Sequence, residues 1–167
     1  MSFKAGEYVT YKTQGICKIS GVVKREICGK TEDYFELHPV YDESVNLFVP
    51  VENAKLTGRM QKLITREEID GIICKMPEEE DIWIENETKR RETYRTILAS
   101  GNRYDLVKLI RTLYKHKQSL EGTTRKLHVS DERFMKEAEK LLHEEFAFVL
   151  GIEPSQVVPY ITKQIES

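Results

Sequence analysis

The amino-acid sequence predicts an α+β chain, with a small five-stranded β barrel followed by a compact bundle of four to five helices. Over the first fifty residues, apolar and polar side chains alternate with period two between Gly- or Asn-containing breaks, the pattern of short half-buried strands. No such segment recurs after residue 60, where apolar residues return at the i, i+3, i+4, i+7 spacing of helices. Strands first and helices second imply two domains, over residues 1–60 and 61–167.

The strands fall at about 7–11, 16–28, 33–41 and 45–49, with a short fifth near 55–59. Gly15, Gly29-Lys30 and Asp42-Glu43-Ser44 supply the turns, and Pro39 marks an edge or a bulge in the third run. Five short, strongly bent strands in some 60 residues suit an SH3- or Tudor-like barrel, which is close to the lower size limit for independent folding.

The first helix opens at Thr65, with Glu68 at the capping-box position, carries Ile69, Ile72, Ile73 and Met76 on one face, and stops at Pro77. An acidic loop over 78–81 leads into Ile82-Trp83-Ile84. A second helix spans about 86–99 and breaks at Ser100-Gly101. The third starts at Asn102 and places Leu106, Leu109, Ile110, Leu113 and Tyr114 on one face; residues 119–124 form a loop. Ser130 is the expected cap of a fourth helix ending at Gly151, and a short fifth follows Glu153-Pro154. Loops this short imply antiparallel neighbours in a bundle.

Composition narrows the function. No apolar run approaches the roughly 18 residues of a membrane span, and no charged-then-apolar leader opens the chain, so a cytoplasmic protein without a membrane role is expected. Cys17, Cys28 and Cys74 lack metal or redox spacing, and free thiols are expected. His38, His116, His128 and His143 are scattered, and no phosphate loop, dinucleotide fingerprint or HExxH occurs. The expectation is a non-enzyme with no catalytic residue, metal, cofactor or small-molecule substrate.

Charge is more informative. The net is −2, yet residues 78–87 hold six acids and no base, while residues 88–133 hold twelve Lys/Arg against five Asp/Glu. Lys89, Arg90, Arg91 and Arg95 open the second helix; Arg103, Lys108, Arg111 and Lys115 lie on the third; Arg125, Lys126 and Arg133 precede or begin the fourth. Such a block can neutralise phosphates, or it can be a solvated face offset by its acidic neighbours. Trp83 either plugs a seam between the two halves or presents an apolar wedge to a nucleic-acid groove. In the strand Val45–Val49, Asn46 and Phe48 share one face and Val45, Leu47 and Val49 the other. Phe48 is then either buried or, near Lys24-Arg25, part of an edge open to strand addition by a partner.

Several of these segments resemble one family. Phe3-Lys4-x-Gly6-Glu7-x-Val9-x-Tyr11, Gly15, the Gly29 turn and Val49-Pro50-x-Glu52-Asn53 resemble the N-terminal module of CarD-type bacterial transcription regulators, a module shared with the transcription-repair coupling factor. Leu98-Ala99-Ser100-Gly101, Asp105 to Tyr114, Ser130-Asp131-Glu132-Arg133 and Leu141-Leu142-x-Glu144-Glu145 extend the resemblance through the helical half. The resemblance implies a Tudor-like domain that binds the RNA polymerase β subunit lobe through an edge strand, mapped onto Arg25, Asn46, Leu47, Phe48 and Val49. It also implies a helical domain that contacts promoter DNA near the upstream edge of the bubble and stabilises the open complex, through Trp83, Lys89, Arg90, Arg91 and Arg133. Phe48 stands where the family usually has a basic residue, and Glu85 and Glu87 stand where basic neighbours are expected. Trp83 lies about four residues further from Ser100-Gly101 than in well-known members, which points to Lys89, Arg90 and Arg91 as backbone contacts. The competing expectation is an adaptor on RNA polymerase that touches no DNA.

Overall fold

The computed structural model describes residues 3–11, 14–76 and 81–166, and the chain divides into two compact units between Leu63 and Ile64. Pro77 and the acids Glu78, Glu79 and Glu80 of the expected loop lie outside the described residues.

In the first unit, alternation becomes β1 (Tyr8–Tyr11), β2 (Ile16–Ile27), β3 (Lys30–Pro39), β4 (Leu47–Pro50) and β5 (Met60–Lys62). All neighbours are antiparallel, in the order β4-β3-β2-β1-β5. The sheet is open, with β4 and β5 as its ends, which corrects the expected closed barrel. A bulge between Ile19 and Gly21 shifts the β2–β3 register and bends the sheet without joining its edges. Cys28 and Gly29 link β2 to β3 with φ of 53° and 78°, so a two-residue turn with both φ positive sets the hairpin register. The strand expected near 55–59 is instead a helical turn, α1 (Ala54–Thr57), because the Asn53 side chain accepts the Leu56 N–H at 3.1 Å and caps a helix. The fifth strand follows it.

One face of this sheet is the core: Val9, Cys17, Ile19, Phe35, Leu37, Val49 and Met60 are buried together with Phe3 and Tyr11. Burial pushes the Cys17 thiol up to about 11, so it packs as a neutral hydrophobe. All three cysteines are free.

The second unit contains α2 (Arg66–Lys75), α3 (Glu87–Ser100), α4 (Arg103–Ser119), α5 (Val129–Leu150), a 3-10 turn (Pro154–Gln156) and α6 (Val157–Glu166). Thr65 and Glu68 close the capping box of α2. Gly101 at φ 67° ends α3, and Asn102 at once caps α4. The cap of α5 is His128, whose ring accepts from the Ser130 N–H, rather than Ser130 itself. Ile69, Ile72, Tyr94, Leu109, Leu113, Phe146 and Val157 are among the fully buried side chains of the core. Tyr114, expected with Leu113 on the apolar face, is exposed.

A buried carboxylate fastens this unit internally. Arg103 donates to both oxygens of Glu145, Nε to Oε1 at 2.9 Å and a terminal nitrogen to Oε2 at 2.7 Å, while Oε2 also accepts the Ile64 N–H at 3.0 Å. One acid on α5 thus holds the start of α4 and the start of the unit. Among the described residues, no helix is long and apolar enough to cross a membrane.

Leu109→Ala should lower unfolding free energy by about 2–5 kcal/mol, because truncation leaves a cavity in a close-packed core. Tyr114→Ala should cost far less. Urea unfolding followed by far-UV circular dichroism checks the contrast, and equal losses would contradict this packing.

Candidate polymerase and nucleic-acid interfaces

Two surfaces gather the residues singled out in the sequence, one on each unit. On the sheet, β4 is an edge strand whose residues Tyr34↔Pro50, Phe35↔Val49, Glu36↔Phe48 and Leu37↔Leu47 pair only toward β3 among the described residues. Val49 is buried and Leu47 half-buried toward the core, while Asn46 precedes the strand and is exposed. Phe48 faces the other way, opposite Glu36.

Phe48 is half-buried, which neither simple reading of the strand foresaw. The guanidinium of Arg25, on β2, lies over its ring with Cζ 4.1 Å from the centroid. A cation–π contact of this kind is worth about 0.5–1 kcal/mol at an exposed site. It joins Arg25 and Phe48, on separate strands, into one cationic and aromatic patch beside the free edge. Glu36, next to it, accepts from Ser20 Oγ at 2.6 Å and lies 3.6 Å from His38 Nε2, so the neighbouring acid is already engaged.

On the helical unit the centre is Trp83, in the segment leading into α3. Thr112 Oγ1 on α4 accepts the Ile82 N–H at 2.9 Å, and Tyr94 on α3 donates its hydroxyl to the Ile82 carbonyl at 3.3 Å. The segment is therefore held between α3 and α4. Burial, with the Asp131 carboxylate adding to it and Arg90 offsetting it, pushes Tyr94 up to about 12, so its hydroxyl stays a donor.

Trp83 is half-buried, and its Nε1–H donates to Glu85 Oε1 at 3.1 Å. The His116 ring stacks on the indole with centroids 3.7 Å apart and planes 15° from parallel. The Arg90 guanidinium lies over the same indole at 4.4 Å. A nearly parallel imidazole that close blankets one ring face, which leaves the other to the guanidinium. Trp83 packs against the core of the helical unit itself, through groups on α3 and α4.

The expected cationic contacts separate into two groups. Arg90 is 6% exposed; its Nε donates to Asp131 Oδ1 at 2.9 Å, and a terminal nitrogen donates to the Ile84 carbonyl at 2.9 Å and the Glu85 carbonyl at 3.4 Å. It is part of the scaffold under Trp83, and its charge is spent on Asp131, itself 1% exposed. Arg103 is likewise committed to Glu145, and Arg111 donates to the Met76 carbonyl. Lys89 and Arg133 are exposed, as are Arg95, Arg125 and Lys126. Arg91 is half-buried and lies 3.8 Å from Glu87, which also meets His128 Nε2 at 3.1 Å. The Arg90–Asp131 and Glu87–His128 contacts bring the starts of α3 and α5 side by side, so Lys89, Arg91 and Arg133 stand on adjoining helix starts.

The four histidines form no cluster. His38 neighbours Glu36, His116 stacks on Trp83, and His128 caps α5. His143 lines a groove of about 440 Å³ between α4, α5 and α6. Burial holds the His143 imidazole below its ordinary value, with Glu139 opposing that shift. Among the described residues, no three His, Cys, Asp or Glu side chains group as a metal site. The reading from sequence missed His116, Thr112 and Asp131, whose partners lie roughly 30 to 40 residues away and leave no local spacing signal.

Comparison with protein families finds the CarD-like/TRCF RID domain over residues 3–64 and the CarD C-terminal domain over residues 73–162. No curated protein matches the chain.

Asp131→Ala should cost about 3–5 kcal/mol, because it strands the buried Arg90 charge. Trp83 is the only tryptophan, so its emission should shift in the same variant. Denaturation followed by tryptophan fluorescence tests both; a loss under about 1 kcal/mol with unchanged emission would remove Arg90–Asp131 from its supporting role.

Proposed function

The chain belongs to the CarD family, whose domains mark a transcription-related protein that interacts with RNA polymerase, and from that premise we propose a regulator that bridges polymerase to promoter DNA. The first unit anchors to the β subunit lobe by adding its β4 edge to a partner strand. Main-chain hydrogen bonds supply affinity there, and the Arg25–Phe48 patch supplies specificity. The helical unit, once anchored, meets DNA near the upstream edge of the bubble. Lys89, Arg91 and Arg133 contact phosphates, and Trp83, with Arg90 over its ring, belongs to the segment just ahead of α3. Such contacts position a protein without reading bases, in keeping with action at many promoters.

Anchoring is what makes a small set of cations sufficient. Tethering turns the DNA contact into an intramolecular event at an effective concentration of about a millimolar for short linkers, so a weak contact is populated. The open complex is stabilised to the extent that the anchored protein binds it more tightly than the closed one. The observation that carries this reading is the open β4 edge with a guanidinium and an aromatic ring already paired beside it. A second reading, an adaptor on polymerase without DNA contact, draws support from the inward commitment of Arg90, Arg103 and Arg111, which thins the basic face.

Phe48→Ala and Arg25→Ala should each weaken binding to a purified β-lobe fragment by about 1–2 kcal/mol, roughly 5- to 30-fold in Kd. Absence of binding by the unmodified protein sinks the anchor. Lys89→Glu with Arg133→Glu should shorten open-complex lifetime and lower its salt dependence, by about one ion for each phosphate that is no longer neutralised. An unchanged lifetime with intact polymerase binding supports the adaptor instead.

A further inference from the structure

The groove between α4, α5 and α6 shares no lining residue with the surfaces assigned above to polymerase and DNA. Its volume of about 440 Å³ falls in the range that accommodates small organic ligands. Met76, Val107, Ile110, Leu142, Val158 and Ile161 give it largely aliphatic walls. Most of its polar groups are engaged within the chain. Arg111 on α4 donates to the Met76 carbonyl, and the Thr162 hydroxyl on α6 donates to the Val158 carbonyl at 3.0 Å. Glu139 and His143, one turn apart on α5, differ: both are half-buried, and neither makes a hydrogen bond or ion pair among the described residues. Lys136, a turn before Glu139, lies 3.7 Å from Glu132 instead. Burial holds the His143 imidazole below its ordinary value, so at neutral pH it is uncharged and does not neutralise the carboxylate beside it.

We propose that this groove binds a small organic cation, an ammonium carried on an apolar body, with Glu139 and His143 accepting the ammonium N–H groups while the aliphatic walls enclose the body. Charge selects the ligand class. A half-buried carboxylate gains most from a partner that brings both a positive charge and hydrogen-bond donors. A neutral ligand leaves that carboxylate without a counter-charge, and an anionic one sets a like charge against it. Tyr114, exposed at the rim, adds a ring whose face attracts a cation. Size selects against a macromolecule. Of the exposed large hydrophobics of the helical unit, Tyr114 and Val158 border the groove, whereas Tyr104 and Val129 do not. Two side chains supply little of the roughly 800 Å² per partner that a stable protein interface buries. The concave walls instead suit a compact molecule that inserts its apolar end and keeps its charged end at α5.

Three probes with one aromatic body and different heads separate the possibilities: naphthylethylamine, naphthylethanol and naphthylacetate, each titrated into the full chain by isothermal calorimetry. The amine should bind one per chain and about tenfold more tightly than the alcohol, the gain expected of a charge-assisted hydrogen bond. The carboxylate should bind most weakly. Glu139→Gln keeps the shape of the side chain and should bring the amine's Kd to that of the alcohol, leaving the alcohol's own Kd unchanged. His143→Leu removes the second acceptor and should weaken the amine several-fold. Val158→Phe narrows the groove and should weaken all three probes, with circular dichroism showing an unchanged fold. Absence of binding by every probe, or binding that Val158→Phe leaves intact, overturns the site. Equal affinity for amine and alcohol, tighter binding of the carboxylate, or an amine Kd indifferent to Glu139→Gln overturns the cationic ligand.

Discussion

The helical unit depends on one desolvated ion pair. Arg90 and Asp131 are both nearly inaccessible, they join the first turns of α3 and α5, and the same guanidinium reaches up to the Ile84 and Glu85 carbonyls. Removing two charges from water is costly, and the pair offsets that cost only in part: Nε meets Oδ1 and a terminal nitrogen meets two carbonyls, while Asp131 Oδ2 has no hydrogen-bond partner among the described residues. Its contribution is therefore mainly one of specification. A hydrophobic pair of similar size fills the space equally well, but it does not fix the path of a backbone segment by two carbonyl bonds or set a cation beneath an indole. Glu145 works in the same way at the other end of α5, where it gathers Arg103 and the Ile64 N–H.

This division of labour explains which parts of the molecule were legible in the sequence. Local rules located α2 through its capping box, placed Asn102 and Gly101 at the α3–α4 junction, and found the long strands by alternation. They failed where the deciding partner lies outside the local window. A short strand was expected near 55–59, yet Asn53 caps a helical turn over Ala54–Thr57; His128 takes a capping place that Ser130 fits by type. The basic block is the larger case. Counting charge along the chain treats twelve cations as one surface, but Arg90, Arg103 and Arg111 satisfy a buried acid, another buried acid and a helix-end carbonyl. No spacing reveals that, because the acids concerned sit on α5, about forty residues away.

The sheet poses the complementary problem of leaving something unsatisfied in a controlled way. An open five-stranded sheet has two edges, and an exposed edge invites pairing with any extended chain. β4 limits the invitation by being only four residues long and by ending in Pro50. Period-two reasoning set Phe48 on the face opposite Val45, Leu47 and Val49 but could not say that Arg25 reaches across β3 to cover it. Covering an outward aromatic with a guanidinium reduces its exposed apolar area while keeping it near the edge, where a partner strand can bury both.

The same logic governs both units. Each keeps an aromatic side chain at its surface and places a guanidinium on it: Phe48 under Arg25, and Trp83 over Arg90. The difference lies in what holds the arginine. Arg25 is on an exposed stretch of ribbon and can follow a partner's surface, so its ring contact is adjustable. Arg90 is locked by Asp131, so its ring contact is fixed, and His116 stacks on the same indole. An adaptable patch suits a protein partner whose side chains must interdigitate. The locked arginine thus removes one phosphate-seeking charge from the surface, and in exchange it fixes the indole that lies on it.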